Sequence, residues 1–149
     1  MGRYACSMIN LGVKIGETFH RDKLDASWER AATEEAIRNN YSSIPNTLNG
    51  MAAEKYAIQY CGHIDDPRKF RDTKFDGLLI EHKSKVDCFT YPYHVYMHLE
   101  LEKLKKKKLA GDIIGDYVIC WQRNDKTYIC ESQWKWNGQA WSIICGLSE

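Results

Sequence analysis

The sequence predicts a single α/β domain in which a mixed, mostly antiparallel sheet is flanked by helices. Three features carry that expectation. Two stretches rich in helix formers come first, an Asp-Gly turn then joins two strand-like runs, and a lysine-ended helix leads into short aromatic strands. The chain has 149 residues, the length of one domain, and such a domain buries roughly 70% of the surface its unfolded chain exposes. Its 44% hydrophobic and 28% charged residues suit a soluble domain with a real core. Apolar runs such as Leu78-Leu79-Ile80 are too short for a membrane span of about 20 residues, so no membrane partner is expected. Asn10, Lys14 and Glu17 interrupt the start of the chain, which does not read as a signal peptide.

Taken in order, the first 25 residues offer only a short strand or coil. A helix follows over about 27–40, with Ser27 as N-cap and Ala31, Ala32, Glu34, Glu35 and Ala36 as good helix formers. Residues 41–49 contain Ser42, Ser43, Pro45, Asn46 and Asn49 and read as a loop. A second helix runs over about 51–61 and is stopped by Gly62. Asp76-Gly77 is a two-residue hairpin turn joining strands at about 69–75 and 78–85. Past an aromatic patch at Phe89, Tyr91 and Tyr93, a helix over about 93–109 carries an apolar stripe of Met97, Leu101, Leu104 and Leu109. The remainder reads as a meander with strands at about 117–122, 127–131, 133–136 and 139–145. Its last two strands form an aromatic hairpin about Asn137-Gly138, where Trp134, Trp136 and Trp141 fit cross-strand pairing or, alternatively, base stacking.

Net charge excludes little: 21 Lys and Arg against 20 Asp and Glu leave +1. Local charge says more. Lys105, Lys106, Lys107 and Lys108 end the long helix, where cations complement the helix dipole and are placed to contact phosphates. The six cysteines form no Cys-x-x-Cys pair of a compact zinc module; their even count permits three disulfides, but without a secretory signal the expectation is reduced thiols in a cytoplasmic setting, with Cys120, Cys130 and Cys145 as small core residues. His94 and His98 have the i, i+4 spacing of a helical metal pair but lack a regularly spaced third ligand for zinc.

The hairpin gathers the chemistry. With a two-residue turn, Phe75 faces Leu78, Thr73 faces Ile80 and Asp72 faces Glu81, with Cβ atoms of opposed residues about 5 Å apart. Lys83 is two residues beyond Glu81 and projects on the same face. Opposed carboxylates repel unless something neutralises them, and Mg²⁺ suits a site of one or two carboxylates that leaves positions for water or phosphate. A different register would make Asp76 the ligand instead of Asp72; turn length favours Asp72, with Asp76 at the tip.

The spacing Asp72-x8-Glu81-x-Lys83 resembles the signature of the PD-(D/E)xK nuclease superfamily, and Ile80-Glu81-His82-Lys83-Ser84 resembles its RecB and Cas4-like branch. The resemblance covers a core of about 51–122 and implies a restriction-endonuclease-like fold. It implies Mg²⁺ (or Mn²⁺) held by Asp72 and Glu81, with Lys83 orienting or activating the attacking water. Glu54, on the helix before the hairpin, matches the superfamily's additional acidic residue, and DNA is the implied substrate. Arg71 stands where many members have proline, and His94 and His98 occupy the spacing of that branch's Gln and Tyr. The expected activity is therefore metal-dependent DNA hydrolysis, endo- or exonucleolytic, as in a phage or mobile element. The alternative is a non-catalytic nucleic-acid- or protein-binding module on a nuclease-like scaffold, and self-association into a homo-oligomer stays open.

Overall fold

The computed structural model describes residues 3–4, 9–66, 72–88 and 91–147. Near the start, β1 (Arg3–Tyr4) and β2 (Thr18–His20) precede a single 3₁₀ turn at Arg21–Lys23. Helix α1 (Trp28–Arg38) begins where the sequence places it, but Ser27 makes no side-chain cap. Its hydroxyl instead donates to the Asp25 carboxylate at 3.1 Å.

Helix α2 (Ile44–Tyr60) corrects the expected loop at 41–49. Ser43 Oγ accepts from the Asn46 N–H at 3.3 Å, and Pro45 stands in the first turn, where its missing N–H has no helical partner to lose. The Ser-x-Pro cluster is a helix start, not a turn. Thr47, Met51, Ala52, Ala53, Glu54, Tyr56 and Ala57 form its buried face.

Strands β3 (Ile64–Asp65), β4 (Asp72–Phe75) and β5 (Leu78–Val86) follow. The expected strand residues 69–71, Arg71 among them, and the aromatic Phe89 lie outside the described residues. Asp76 (φ 51°) and Gly77 (φ 78°) both take left-handed backbone, the geometry of a two-residue hairpin turn. The resulting pairs are Phe75 with Leu78, Lys74 with Leu79, Thr73 with Ile80 and Asp72 with Glu81, as the sequence predicts.

Helix α3 (Tyr93–Leu109) crosses over to β6 (Tyr117–Asn124), which lies parallel to β5. Tyr93, Met97, Leu101 and Leu104 are its buried stripe, whereas Leu109 at the expected end of that stripe is exposed. Gly115 allows this crossover. A Cβ there would stand 2.4 Å from the Leu79 carbonyl oxygen, so Gly115→Ala should destabilise folding by about 1–3 kcal/mol through overpacking, measured by chemical denaturation.

The meander differs in two ways from the sequence reading. β7 (Thr127–Trp136) is continuous, where two strands are expected, because register shifts at Cys120/Trp121 and Gln133/Trp134 absorb the irregularity. β8 (Trp141–Leu147) starts after a four-residue turn, not a two-residue one. The Asn137 side chain accepts from the Gln139 and Ala140 N–H groups, both at 2.9 Å, and so closes a wider loop. Trp136 and Trp141 pair across it at 5.1 Å, the structural role cross-strand pairing predicts.

The strands make one curled mixed sheet in the order β1-β8-β7-β6-β5-β4-β3, with β2 paired to β7. With three α-helices among the described residues, this is a single α/β domain. One face packs under α2 through Ile80, Ile119, Trp121 and Tyr128, and the other under α3 through Val118 and Cys120. Cys145 is disulfide-bonded, which corrects the expectation of uniformly reduced thiols; Cys61, Cys120 and Cys130 are free. The pairing of β1 with β8 brings the chain ends together, a neighbourhood that cysteine spacing cannot reveal. No helix among the described residues is long and apolar enough to cross a membrane.

Candidate active site

Because strand side chains alternate, the β4–β5 hairpin carries two different sets of groups on its two faces. Asp72, Glu81, Lys83 and Lys85 share the α3 face, since Glu81 and Lys83 pair with Val118 and Cys120. Thr73, Ile80 and His82 share the α2 face.

On the α3 face Asp72 is 1% exposed and Glu81 7%, so the two opposed carboxyl groups are both buried. A third, Asp66, extends the row. Ile64 pairs with Lys74 and Asp65 with Thr73, and the Asp66 N–H then donates to the Asp72 carbonyl at 3.3 Å. Asp66 is 2% exposed. Sequence reasoning missed it, because a two-residue strand has no periodicity to read. Asp76 sits exposed at the turn, away from this row.

An open cleft of about 360 Å³ begins where the row ends. Among the described residues β4 stops opposite Glu81, so Val86 and its neighbours in β5 continue beside β6 alone. The cleft lies over that projecting end, a common ligand position beyond the carboxyl ends of parallel strands. Lys83 and Lys85 of β5, Arg123 of β6, and Tyr96 and Glu100 of α3 line it, facing Asn46, Asn49 and Gly50 of α2. Lys83 therefore belongs to both the carboxylate face and the cleft.

Glu54 follows Asn46 and Gly50 at four-residue intervals on α2, which places it on the same helix face one turn beyond the cleft lining. It is fully buried, and α2 packs on both β4 and β5. Across the cleft, Lys85 Nζ is 3.2 Å from Glu100 and lies 4.8 Å over the Tyr96 ring. Burial raises the Glu100 carboxyl, but Lys85 and then Lys83 outweigh it and hold the group below its ordinary value.

The α3 face of the hairpin has oxygen donors and an adjacent ammonium. That donor set suits Mg²⁺ or Mn²⁺, which take one or two carboxylates and complete their shell with water and phosphate. No group of three or more His, Cys, Asp or Glu stands in metal-holding geometry among the described residues, so the candidate is the Asp72–Glu81 pair.

Opposite chemistry occupies the α2 face. His63 Nε2 is 2.7 Å from the Leu11 carbonyl and so must donate to it. Its Nδ1 then accepts from the Thr73 hydroxyl at 2.6 Å. Thr73 Oγ1 in turn accepts from His82 Nε2 at 2.9 Å, leaving His82 Nδ1 to accept from the Trp121 indole at 3.4 Å. One direction of donation satisfies the whole chain, and it requires both histidines to be neutral. Burial lowers the pKa of each, well below the ordinary value for His82, where His63 adds to the effect.

The remaining sequence candidates are dispersed. His94 and His98 are exposed on the outer side of α3, while Tyr96 and Glu100, also four apart, face the cleft. Lys106 is six residues past Glu100, about 9 Å along the helix axis. Lys106 and Lys107 are exposed and Lys105 half-buried. Lys108 is committed to structure: its Nζ donates to the Ile114 carbonyl at 2.8 Å and to Asp116 at 2.9 Å, and lies 5.5 Å over Trp136. Lys108→Met should cost about 1–2 kcal/mol of folding stability in a denaturant titration, because it removes charge-assisted hydrogen bonds.

Compared with protein-family models, with curated proteins and with solved structures, the chain matches none.

Proposed function

We propose that this protein is a Mg²⁺- or Mn²⁺-dependent nuclease that hydrolyses phosphodiester bonds in DNA. One observation carries the reading: buried Asp72 lies directly opposite buried Glu81, and Lys83 follows on the same face at the mouth of a cation-lined cleft. The order of elements supports a restriction-endonuclease-like core within the domain. Helix α2 precedes three antiparallel strands, and α3 then leads to β6 parallel to the third of them.

Asp72 and Glu81 would hold the metal, which supplies Lewis acidity toward the phosphoryl oxygens and a lowered pKa for water. Lys83 orients or deprotonates the water that attacks phosphorus. Glu54 is buried under α2, across the sheet from the face that carries Asp72, Glu81 and Lys83, and takes no part in this step. As the water oxygen bonds to phosphorus, the bond to the leaving oxygen breaks, and that oxygen takes a proton. Lys85 and Arg123 draw the phosphate backbone into the cleft, with Lys105, Lys106 and Lys107 further along α3 adding affinity that weakens with salt.

The test is cleavage of end-labelled single- and double-stranded DNA and RNA with Mg²⁺ or Mn²⁺, and with chelator as control. Metal-dependent DNA cleavage supports the proposal. Salt-sensitive binding without turnover would instead favour a nucleic-acid-binding module, a reading the donor-lined cleft also fits.

A further inference from the structure

The cleft beside Lys83 has more binding chemistry than a metal site needs. Lys83, Lys85 and Arg123 stand against one carboxylate, Glu100, which leaves an excess of two positive charges in its lining. Glu100 is already engaged by Lys85 at 3.2 Å and Lys103 at 3.5 Å, so the lining has little acceptor capacity left. Its donors are plentiful. Asn49, whose side-chain oxygen accepts from Arg21 at 2.7 Å, brings an amide to the lining. Asn46 adds a second amide, and the buried Ser84 hydroxyl in the cleft wall has no hydrogen-bond partner among the described residues.

We infer that this cleft receives one unpaired, phosphate-bearing nucleotide of a single strand. Excess donors and net positive charge select an anion rich in acceptors, which a phosphorylated nucleotide is. Size limits the ligand further. At about 360 Å³ the cleft lies near the lower end of the roughly 300–1,000 Å³ of small-molecule sites, enough for one nucleotide and far too little for a duplex. The tyrosine in the lining does not act as a stacking platform, because Tyr91 stacks on the Tyr96 ring at 4.6 Å and Lys85 Nζ lies over it at 4.8 Å. Phosphate and base-edge hydrogen bonds therefore hold the nucleotide, with the phosphate on Arg123, whose guanidinium also donates to the Asp125 carbonyl at 2.8 Å.

The inference rests on the nuclease reading only for its biological use, and its test does not depend on turnover. Binding is measured in chelator by tryptophan fluorescence and calorimetry. The probes are a single-stranded oligonucleotide, a blunt hairpin duplex, a deoxynucleoside monophosphate and inorganic phosphate. The single strand should bind at least tenfold tighter than the duplex, and the monophosphate tighter than inorganic phosphate. Arg123→Gln should weaken the single strand about tenfold, Arg123→Glu should weaken it further, and Arg123→Lys should restore most of it. Circular dichroism shows whether each variant is folded; Arg123 stands half-exposed near the end of β6, outside both hydrophobic clusters.

Equal affinity for duplex and single strand, or indifference to Arg123→Glu in a folded chain, overturns the inference. If metal-dependent cleavage occurs but these differences are missing, the nuclease reading stands and the nucleotide subsite falls. If binding follows this pattern and no metal supports cleavage, the subsite stands and the nuclease reading falls.

Discussion

Glu81→Gln should lower metal-dependent DNA cleavage by about three orders of magnitude, since a bound metal supplies several kcal/mol of transition-state stabilisation and each 1.4 kcal/mol is about tenfold. Asp72→Asn should do the same, and the double variant should lose little more, because groups that act as a unit are not additive. Glu81→Gln is isosteric and removes one of two buried, directly opposed carboxylates, so it relieves repulsion. The unfolding temperature of the Glu81→Gln chain without metal should therefore be no lower than that of the parent chain. Saturating Mg²⁺ should raise it in the parent alone, by the linkage that a native-state ligand imposes. Asp76→Asn should cut DNA at the parental rate, as asparagine also tolerates the left-handed backbone this turn uses. A folded, inactive Asp76→Asn chain beside an active Asp72→Asn chain would exclude the proposed metal pair.

Acid should destabilise the domain in a window set by the histidine chain. His63 and His82 are neutral in the folded state with lowered pKa values, whereas an unfolded histidine titrates near 6.5. Above that value neither state binds the proton, and stability is insensitive to these groups. As pH falls below about 6.5 the unfolded chain takes up protons that the folded chain refuses, so stability declines until the lowered native values are reached. The slope is about 1.4 kcal/mol per pH unit for each histidine, or about 2.7 for both. Denaturant titrations at several pH values would measure it. His63→Gln, whose amide can both donate to Leu11 and accept from Thr73, should halve the slope. An unchanged slope in that variant would mean His63 does not titrate differently on folding. Thr73→Val, which removes the hydroxyl bridging the two rings, should cost about 1–3 kcal/mol at neutral pH.

What was legible in the sequence followed how local its cause was. The pairing of Asp72 with Glu81 needs only a two-residue turn, and Asp76-Gly77 states that turn in its own backbone preferences. The start of α2 is equally local but ambiguous: Ser43, Pro45 and Asn46 suit a turn and a helix N-terminus alike, and only packing of Thr47 and Met51 under the sheet decides for the helix. Asp66 and His63 reach the site through the two-residue strand β3 and a loop contact to Leu11, neither of which has a pattern to recognise. On α3 the i, i+4 histidines drew attention, yet the buried stripe of Tyr93, Met97, Leu101 and Leu104 turns Tyr96 and Glu100 toward the cleft and His94 and His98 to solvent. Residue type suggested one face, and the helix phase chose the other.

The turn at Asp76-Gly77 also determines which changes the gene can tolerate there. A single codon inserted or deleted at this tip would slip β4 by one residue against β5, which β6 holds in register, and exchange the faces of β4. Asp72 would enter the apolar layer under α2 and Thr73 would leave its hydrogen-bond chain for the α3 side, while Glu81 and His82 stay in place on β5. Substitutions at the tip loosen a turn, whereas a change of length dismantles the candidate site and the core together. Drift in this segment should therefore alter its letters and conserve its count.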